Sequence, residues 1–273
     1  MPRPQAHDGL PQQLAAREGT FIAENLEAEV YHLVDRASSS MLKEADKSGA
    51  HAQYAKNWPK TATDAMNFGT LVHMMLEMNE WRGMIGVMPK GDLRTKKGRE
   101  AKEKWLEEND GIVAVTSDQL EALVRIEDSC KSSDLIASFL DGGRHELSGF
   151  WTSEMGLKCK FRADLITTDN TIVDWKTCRD ATKFTWDARG FKYDIQAAHY
   201  LQGLSAVAKE ECEDFIFVAI ENVAPYGVMT YHLNYECLER AKKKLSNAML
   251  TYQENLGRTH WRGYPDRVHP LNF

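Results

Sequence analysis

Hydrophobic positions follow two different spacings along this chain. Up to about residue 140, apolar residues recur every three or four positions, which is typical of amphipathic helices. We predict a capped helix that begins near Met41, and further helices over residues 61–78, 100–108, 117–130 and 132–140. A glycine-containing segment, residues 83–98, is predicted to be a loop. The first half of the chain is therefore expected to be mainly helical.

Beyond residue 145 every second residue tends to be apolar, which indicates strands. We predict strands over residues 146–153, 157–166, 171–177, 214–221 and 228–234. Helices are predicted over residues 191–208 and 235–255. This order favours an α/β or α+β fold, in which a mixed central sheet is flanked by helices and preceded by a helical N-terminal section.

The remaining sequence limits the class of protein. Residues 1–25 are predicted to be a flexible or loosely docked arm, and residues 26–273 a single domain. The longest apolar runs are too short to cross a bilayer, and the polar start lacks the apolar stretch of a secretory signal. Five widely spaced cysteines, with no CxxC pair, argue against a disulfide framework or a structural zinc site. We expect a cytoplasmic protein that does not contact membranes.

Charge is distributed unevenly along the chain. The net charge of −6 differs from the basic balance that is usual in nucleic-acid-binding proteins. Residues 90–104 nevertheless contain seven basic side chains and three acidic ones. These residues are either a solvated loop or a strip that follows a phosphate backbone, which would make binding sensitive to salt. The centre of the candidate strip is Arg94, Lys96, Lys97 and Arg99.

The strand predicted over residues 157–166 has two unlike faces, because side chains alternate along a strand. One face is apolar and is expected to lie in the core. The other is basic and ends in a carboxylate; it carries Lys158, Lys160, Arg162 and Asp164. We interpret the three basic residues, Lys158, Lys160 and Arg162, as a continuation of the candidate basic strip toward Asp164.

The next predicted strand places Asp174 and Lys176 on one face, two residues apart. A short turn between the strands predicts a hairpin that brings Asp164 close to Asp174. Two neighbouring carboxylates repel each other unless a cation lies between them, and Mg²⁺ prefers such oxygen ligands. Lys176 could then assist a metal-bound water. The alternative is an ordinary hairpin with an Asp–Lys ion pair, because Asp-x-Lys is a common tripeptide.

Three segments in order resemble the core of the PD-(D/E)xK nucleases. The resemblance is to the RecE (exonuclease VIII) branch and its phage relatives, which are related to the RecB nuclease domain. The segments are GLKCKFRAD at 156–164, IVDWKT at 172–177 and YDIQAAHY at 193–200. The resemblance covers about residues 28–273 and implies a restriction-endonuclease-like core.

The resemblance also implies roles for particular residues. Asp164, Asp174 and the carbonyl of Trp175 would bind metal, and Lys176 would serve the water nucleophile. Gln196 and Tyr200 match the family's Gln-x-x-x-Tyr motif and share one helix face. They would contact the DNA backbone and support Lys176.

Two upstream residues complete the family pattern. His73 lies in the sequence GTLVH at 69–73, which resembles the family's Gly-x-x-x-His helix and implies a role at or near a second metal. Without the motif, a helix histidine would more commonly be a satisfied core or surface residue. Glu146 occupies the place of the family's upstream glutamate and would be a further metal ligand. Glu154, in the apparent turn, is its rival for this role.

The resemblance implies a 5′→3′ exonuclease that acts on linear double-stranded DNA ends and leaves 3′ single-stranded tails for recombination. It implies two Mg²⁺ ions in each active site, with Mn²⁺ as a substitute. It also implies a ring-shaped homo-oligomer, a trimer or tetramer, and a RecT-like single-strand-annealing partner, in a bacterial or phage-infected cell. The alternatives are an endonuclease or single-strand nuclease on the same core, and a catalytically silent DNA clamp. Trp58, Trp81 and Trp105 either stack on a frayed DNA end or belong to the core.

Overall fold

The computed structural model describes residues 9–58, 63–91, 94–268 and 270. Its strands are β1 Phe21–Ala23, β2 Ile85–Val87, β3 Val113–Val115, β4 Arg144–Thr152, β5 Lys158–Ile166, β6 Ile172–Cys178, β7 Phe215–Glu221 and β8 Val228–His232. The main sheet has six strands in the order β1-β4-β5-β6-β7-β8, and β2 pairs with β3 in a separate two-stranded sheet. All neighbours in the main sheet are antiparallel except β6 and β7, which run parallel.

Helices cover both faces of the main sheet. They are α1 Leu10–Ala16, α2 Ala28–Leu33, α3 Ser39–Ala45, α4 Gly49–Asn57, α5 Asp64–Glu77, α6 Trp81–Met84, α7 Lys96–Glu108, α8 Ser117–Lys131, α9 Asp134–Leu140, α10 Phe184–Gly190, α11 Tyr193–Ala208 and α12 Tyr235–Asn255. A short 3₁₀ turn, Ala181–Lys183, precedes α10. Among the described residues, no helix is both long and apolar enough to cross a bilayer.

The core consists of two layers, one on each side of the sheet. On one side, Phe161 and Phe215 belong to a buried cluster with residues of α3, α11 and α12. On the other side, Val173 and Trp175 belong to a cluster with residues of α5 and α8. The predicted mixed sheet flanked by helices is therefore confirmed, and it takes the form of three layers.

β5 and β6 form the predicted hairpin, but they pair over a short distance. Their register has only two residue pairs, Leu165 with Val173 and Ile166 with Ile172. Farther from the turn the strands separate, and β6 continues along β7 up to Cys178. The separation leaves residues 174–176 without a ladder pair on β5, which makes room for side chains between the strands.

The predicted N-terminal arm is docked wherever the structure describes it. β1 pairs with β4, and Phe21 stacks on Phe150 with 4.9 Å between the ring centroids. Leu14 of α1 is buried in the same cluster. Burial of these apolar side chains on the outer edge of β4 explains why this segment is held in place. Residues 1–8 of the predicted arm lie outside the described residues.

Several predicted boundaries differ from the structure, and two of them change the picture. The helix expected over residues 61–78 begins at Asp64, because the Thr63 hydroxyl accepts a hydrogen bond from the Met66 N–H and caps it. Residues 61 and 62 lie outside the described residues. The segment 83–98, predicted to be a loop, contains β2 and the first turn of α7.

Lys160 is a structural residue, which corrects its predicted place on a DNA track. Lys160 is only 2% exposed. Its ammonium donates hydrogen bonds to the carbonyl oxygens of Tyr31 at 2.6 Å, His32 at 3.3 Å and Val34 at 2.7 Å. The end of α2 therefore covers this part of β5 and keeps DNA away from Lys160. Burial lowers the pKa of Lys160 to about 8.

Replacing Lys160 with Met should lower the free energy of unfolding by about 2–4 kcal/mol, because each buried carbonyl that loses its donor costs about 1–3 kcal/mol. Urea unfolding measures this difference. The matched control is Lys158→Met, two positions earlier on the same strand, whose ammonium forms a partly exposed ion pair with Glu18. That change should cost less than about 1 kcal/mol. Equal losses in the two variants would contradict a structural role specific to Lys160.

Candidate active site

An open cleft of about 980 Å³ lies between α5 and the strands β4, β5 and β6. His73 and Glu77 of α5 line one wall. The strands contribute the residues of the floor, which are Glu146, Arg162, Trp175 and Lys176. Phe191 and Tyr193, at the start of α11, line another part of the cleft. Residues far apart in sequence thus meet around one space.

Three potential metal ligands from three different elements converge in this cleft. One ligand atom from each of His73, Glu146 and Asp164 lies within 4.8 Å of the other two. His73 Nε2 lies 3.1 Å from the Trp175 carbonyl oxygen, and Nδ1 lies 3.7 Å from Asp164 Oδ1. Because a carbonyl only accepts hydrogen bonds, the proton of a neutral His73 belongs on Nε2. The lone pair of Nδ1 then faces Asp164, as a metal ligand requires.

Glu146 enters the cleft because the β4–β5 ladder is distorted at its position. The strands pair at His145 with Leu165 and at Leu147 with Ala163, so Glu146 lies opposite Asp164 without a ladder pair. The φ of Glu146 is +50°, in the left-handed region that non-glycine residues rarely adopt. Ala163 and Leu165 face opposite core layers, so the alternation of β5 also breaks at Asp164. The distortion turns two carboxylates toward the cleft.

Asp174 lies beneath this cluster and is held by two neighbours. It is 1% exposed, and its carboxylate forms an ion pair with Lys176. Its Oδ1 accepts a hydrogen bond of 2.7 Å from Gln196 Nε2. Gln196 Oε1 in turn accepts a bond of 2.8 Å from Lys43. Since Lys43 can only donate, it fixes which end of the Gln196 amide faces Asp174.

The electrostatics of the site favour a bound cation. Burial, and then the neighbouring Asp174, raise the pKa of Asp164 to about 6. Burial alone would lower the pKa of Lys176, but Asp174 and Asp164 outweigh it and hold that pKa above its usual range. Lys176 is therefore a charged hydrogen-bond donor rather than a base in the metal-free site. Its ammonium supplies part of the positive charge that the two aspartates require.

Glu77 is a further carboxylate of the site, which the sequence did not reveal. It lies one turn after His73 on the same face of α5. Burial, followed by the charges of Glu146 and Asp164, raises its pKa to about 9. Its Oε1 is buried and has no hydrogen-bond partner among the described residues. An orphaned carboxylate oxygen beside an imidazole lone pair and two more carboxylates fits a hard divalent ion.

Metal binding at this site should weaken as the pH falls through about 6. Asp164 must lose its proton to bind a metal, so the apparent affinity should drop about tenfold for each pH unit below its pKa. Titration calorimetry with Mn²⁺ between pH 5 and pH 9 measures this dependence. A constant affinity from pH 5 to pH 7 would contradict it. A rise that continues up to about pH 9 would identify Glu77 as an additional ligand.

The predicted Gln-x-x-x-Tyr pair, Gln196 and Tyr200, lies in the core and not in the cleft lining. Gln196 is buried and supports Asp174 rather than Lys176. Tyr200 is buried between Phe161 and Phe215, and burial raises its pKa well above the ordinary value. Neither residue lines the cleft. The predicted contact of these two side chains with the DNA backbone is therefore corrected to a role inside the core.

The other predicted DNA contacts lie in different environments. Arg162 lines the cleft, forms an ion pair with Glu146 and donates a hydrogen bond to the Leu26 carbonyl. Lys158 lies outside the cleft lining and binds Glu18. The basic strip, Arg94, Lys96, Lys97 and Arg99, is exposed around the start of α7 and also lies outside the cleft lining. Its contact with DNA stays a prediction.

The structure also places the remaining candidates. Glu154, the rival of Glu146, is exposed in the turn that joins β4 to β5, at the far end of these strands from the cluster. Trp81 is buried and donates a hydrogen bond to Glu127, so it belongs to the core. Trp58 and Trp105 do not line the cleft. Glu146 is therefore the upstream glutamate that can reach the site.

Comparison with known proteins identifies a family and a solved structure with a similar fold. The family model described as "PDDEXK-like domain of unknown function (DUF3799)" matches residues 38–268, which include every residue named above as lining the cleft. A solved structure from Eubacterium rectale, described as "Putative exonuclease", aligns with a TM-score of 0.63 and 16% identity over 92% of this chain and 97% of that chain. At this identity the likeness shows the fold alone.

A second solved structure is less similar to this chain. The solved structure of SSO0001 aligns over 80% of this chain and 86% of that chain, at 15% identity, with a TM-score of 0.30. No curated protein matches this chain at a significant level.

Proposed function

Because this chain belongs to the family of PDDEXK-like domains described as DUF3799, we propose that it is a metal-dependent nuclease that hydrolyses phosphodiester bonds in the cleft. The convergence of His73, Glu146 and Asp164 within 4.8 Å, beside the Asp174–Lys176 pair, carries this proposal. Such a donor set is suited to a divalent ion, and Lys176 is suited to an anionic substrate.

The residues of the cleft divide the chemical work. His73, Glu146 and Asp164 would hold the metal, with the Trp175 carbonyl and the buried Asp174 nearby. A bound Mg²⁺ or Mn²⁺ would supply a Lewis acid that lowers the pKa of a water and offsets the charge of the phosphate. The ammonium of Lys176 would orient that water or stabilise the developing negative charge. Gln196 and Lys43 keep Asp174 in the orientation that holds Lys176.

We further propose a 5′→3′ exonuclease on linear double-stranded DNA that leaves 3′ single-stranded tails for recombination. The ordered motifs support it, because they resemble those of the RecE branch. The description of the Eubacterium rectale protein as an exonuclease agrees with this choice. Two Mg²⁺ ions, a ring of three or four copies, a RecT-like partner and a cytoplasmic location belong to the same proposal.

Two alternatives use the same cleft. An endonuclease or single-strand nuclease would have the same metal ligands and differ only in how DNA enters. A catalytically silent clamp would need DNA binding without hydrolysis. The Asp174–Lys176 pair disfavours the clamp. Burying a lysine and an aspartate together costs stability, and a protein that only binds DNA would gain nothing from that cost.

A time course with end-labelled DNA tests the proposal. The substrates are a linear duplex labelled at either the 5′ or the 3′ end, a linear single strand and a covalently closed circle, each with Mg²⁺. We expect nucleotides to be released first from the 5′ label of the duplex, while the circle stays intact. Cleavage of the circle would favour the endonuclease. If the protein binds DNA but releases no nucleotides from any substrate, with either Mg²⁺ or Mn²⁺, the result would favour the catalytically silent clamp.

A further inference from the structure

One wall of the cleft ends in an exposed aromatic ring. Phe191 lines the cleft together with His73 and Lys176, and it is 62% exposed. One side of its ring packs on Tyr193, with the centroids 5.7 Å apart and the ring planes at 27°. A single exposed apolar side chain is common on protein surfaces. Its position in a cleft with charged and metal-binding groups is what requires an explanation.

Phe191 is the outermost ring of a stacked series that reaches the catalytic groups. Tyr193 stacks on Phe217, with 5.7 Å between centroids and 23° between planes. The ammonium of Lys176 lies 5.2 Å from the centroid of the Tyr193 ring, and that of Lys43 lies 4.9 Å from it. A flat group placed on the outer face of Phe191 would therefore extend the series outward, within the cleft that Lys176 also lines.

The backbone next to Phe191 is anchored to a neighbouring helix. Lys192, between Phe191 and Tyr193, has a left-handed φ of +53°. Its ammonium forms an ion pair with Asp46 and donates a hydrogen bond of 3.2 Å to the Lys43 carbonyl. These contacts anchor the junction of α10 and α11 to α3. An anchored backbone limits the positions that the Phe191 ring can take, so less freedom is lost when a ligand stacks on it.

On the basis of the nuclease function proposed above, we propose that Phe191 is a stacking platform for the nucleobase next to the scissile phosphate. A phosphodiester at the His73, Glu146 and Asp164 cluster carries a nucleoside on each side, and we place one of the two along the wall of the same cleft that Phe191 and Tyr193 form. Every base has a flat π face, so an aromatic ring can hold it without selecting a sequence. Such a contact suits an exonuclease that degrades any sequence.

Fluorescence of 2-aminopurine tests the stacking without cleavage. The base analogue is placed in turn at each of the terminal positions of a linear oligonucleotide, which is bound with Mg²⁺ to a Lys176→Met protein. We expect strong quenching at one or two positions. Phe191→Ala and Phe191→Leu in that background should remove the quenching and weaken binding about 5- to 100-fold. Phe191→Trp should retain both, because it restores a flat ring.

Trp186 provides the matched control, since it is an aromatic residue of α10 that is 71% exposed and does not line the cleft. Trp186→Ala should leave quenching and affinity unchanged. Equal quenching in the Phe191→Ala and parent proteins would overturn the proposal. Equal losses in the Phe191 and Trp186 variants would overturn it as well, because the effect would then not belong to the cleft.

Cleavage of DNA with an abasic nucleotide at the quenched position separates this inference from the nuclease function. With Lys176 intact, the abasic substrate and Phe191→Ala should each slow cleavage, and together they should slow it no further than either alone. Additive losses would overturn the stacking role while leaving the nuclease function standing. Absence of cleavage of any DNA would refute the nuclease function, and the fluorescence result would still decide the stacking.

Discussion

Replacing Lys176 with methionine should lower the rate of metal-dependent DNA cleavage by about 10²- to 10⁴-fold, the range that a positioned proton-transfer group or charge contributes. Lys176 lines the cleft, and its ammonium also forms an ion pair with the buried Asp174. Methionine preserves the length of the side chain and removes its charge and its hydrogen-bond donors. Single-turnover cleavage of an end-labelled linear duplex at saturating Mg²⁺ measures the loss directly.

The control for this variant is Lys183→Met. Lys183 also pairs with an aspartate, Asp180, but its side chain is 73% exposed and lies outside the cleft lining. Cleavage by this control should match that of the parent protein. The Lys176 variant should still bind Mn²⁺, because its side chain is not a metal ligand. Full cleavage by Lys176→Met would exclude the proposed mechanism.

Replacing Asp164 with asparagine should remove both metal binding and cleavage. Asp164 is the carboxylate that contacts both His73 and the Trp175 N–H, the latter at 2.9 Å. Asparagine can keep the bond to Trp175 but has no charge with which to hold a divalent ion. Loss of the metal removes several kcal/mol of transition-state stabilisation, so the rate should fall by about 10³-fold or more. Mn²⁺ titration and the same cleavage assay report the two effects.

Stability provides a second check on Asp164→Asn. Burial raises the folded-state pKa of Asp164 to about 6, above the value of about 3.9 in an unfolded chain. The ionised form therefore opposes folding of the metal-free protein, and this cost is complete above about pH 6 and absent below about pH 4. The asparagine variant should melt at a higher temperature than the parent at pH 7 without metal. Asp214→Asn, on an exposed carboxylate, should change neither cleavage nor melting.

The elements that could be predicted from the sequence are those with long, regular patterns. Helix α12 agrees with its predicted bounds, and β5 is shorter than predicted by one residue. The elements that were missed are short. β1, β2 and β3 have three residues each, too few to show alternation, and they form only because a neighbouring strand is present.

The site was predictable where its residues are close in sequence. Asp164, Asp174 and Lys176 lie on two strands joined by a short turn, so local geometry brings them together. Lys43 could not be predicted, because its partner Gln196 is 153 positions away. Glu77 had a weak signal, its one-turn spacing from His73. The error at Lys160 has a different cause: alternation identifies the face opposite the core but does not show that α2 covers it.

The parallel pairing of β6 with β7 has a consequence for protein synthesis. β6 carries Asp174 and Lys176, and it pairs with β7 over its whole length from Ile172 to Cys178, whereas only Ile172 and Val173 also pair with β5. The ribosome makes β7 well after β6, so a nascent chain can complete this sheet only once Phe215–Glu221 has emerged. We therefore expect stalled chains that end before β7 to lack Mn²⁺ binding. The proposed nuclease would then become competent only after β7 has been synthesised, so a chain that ends before β7 would not cleave DNA.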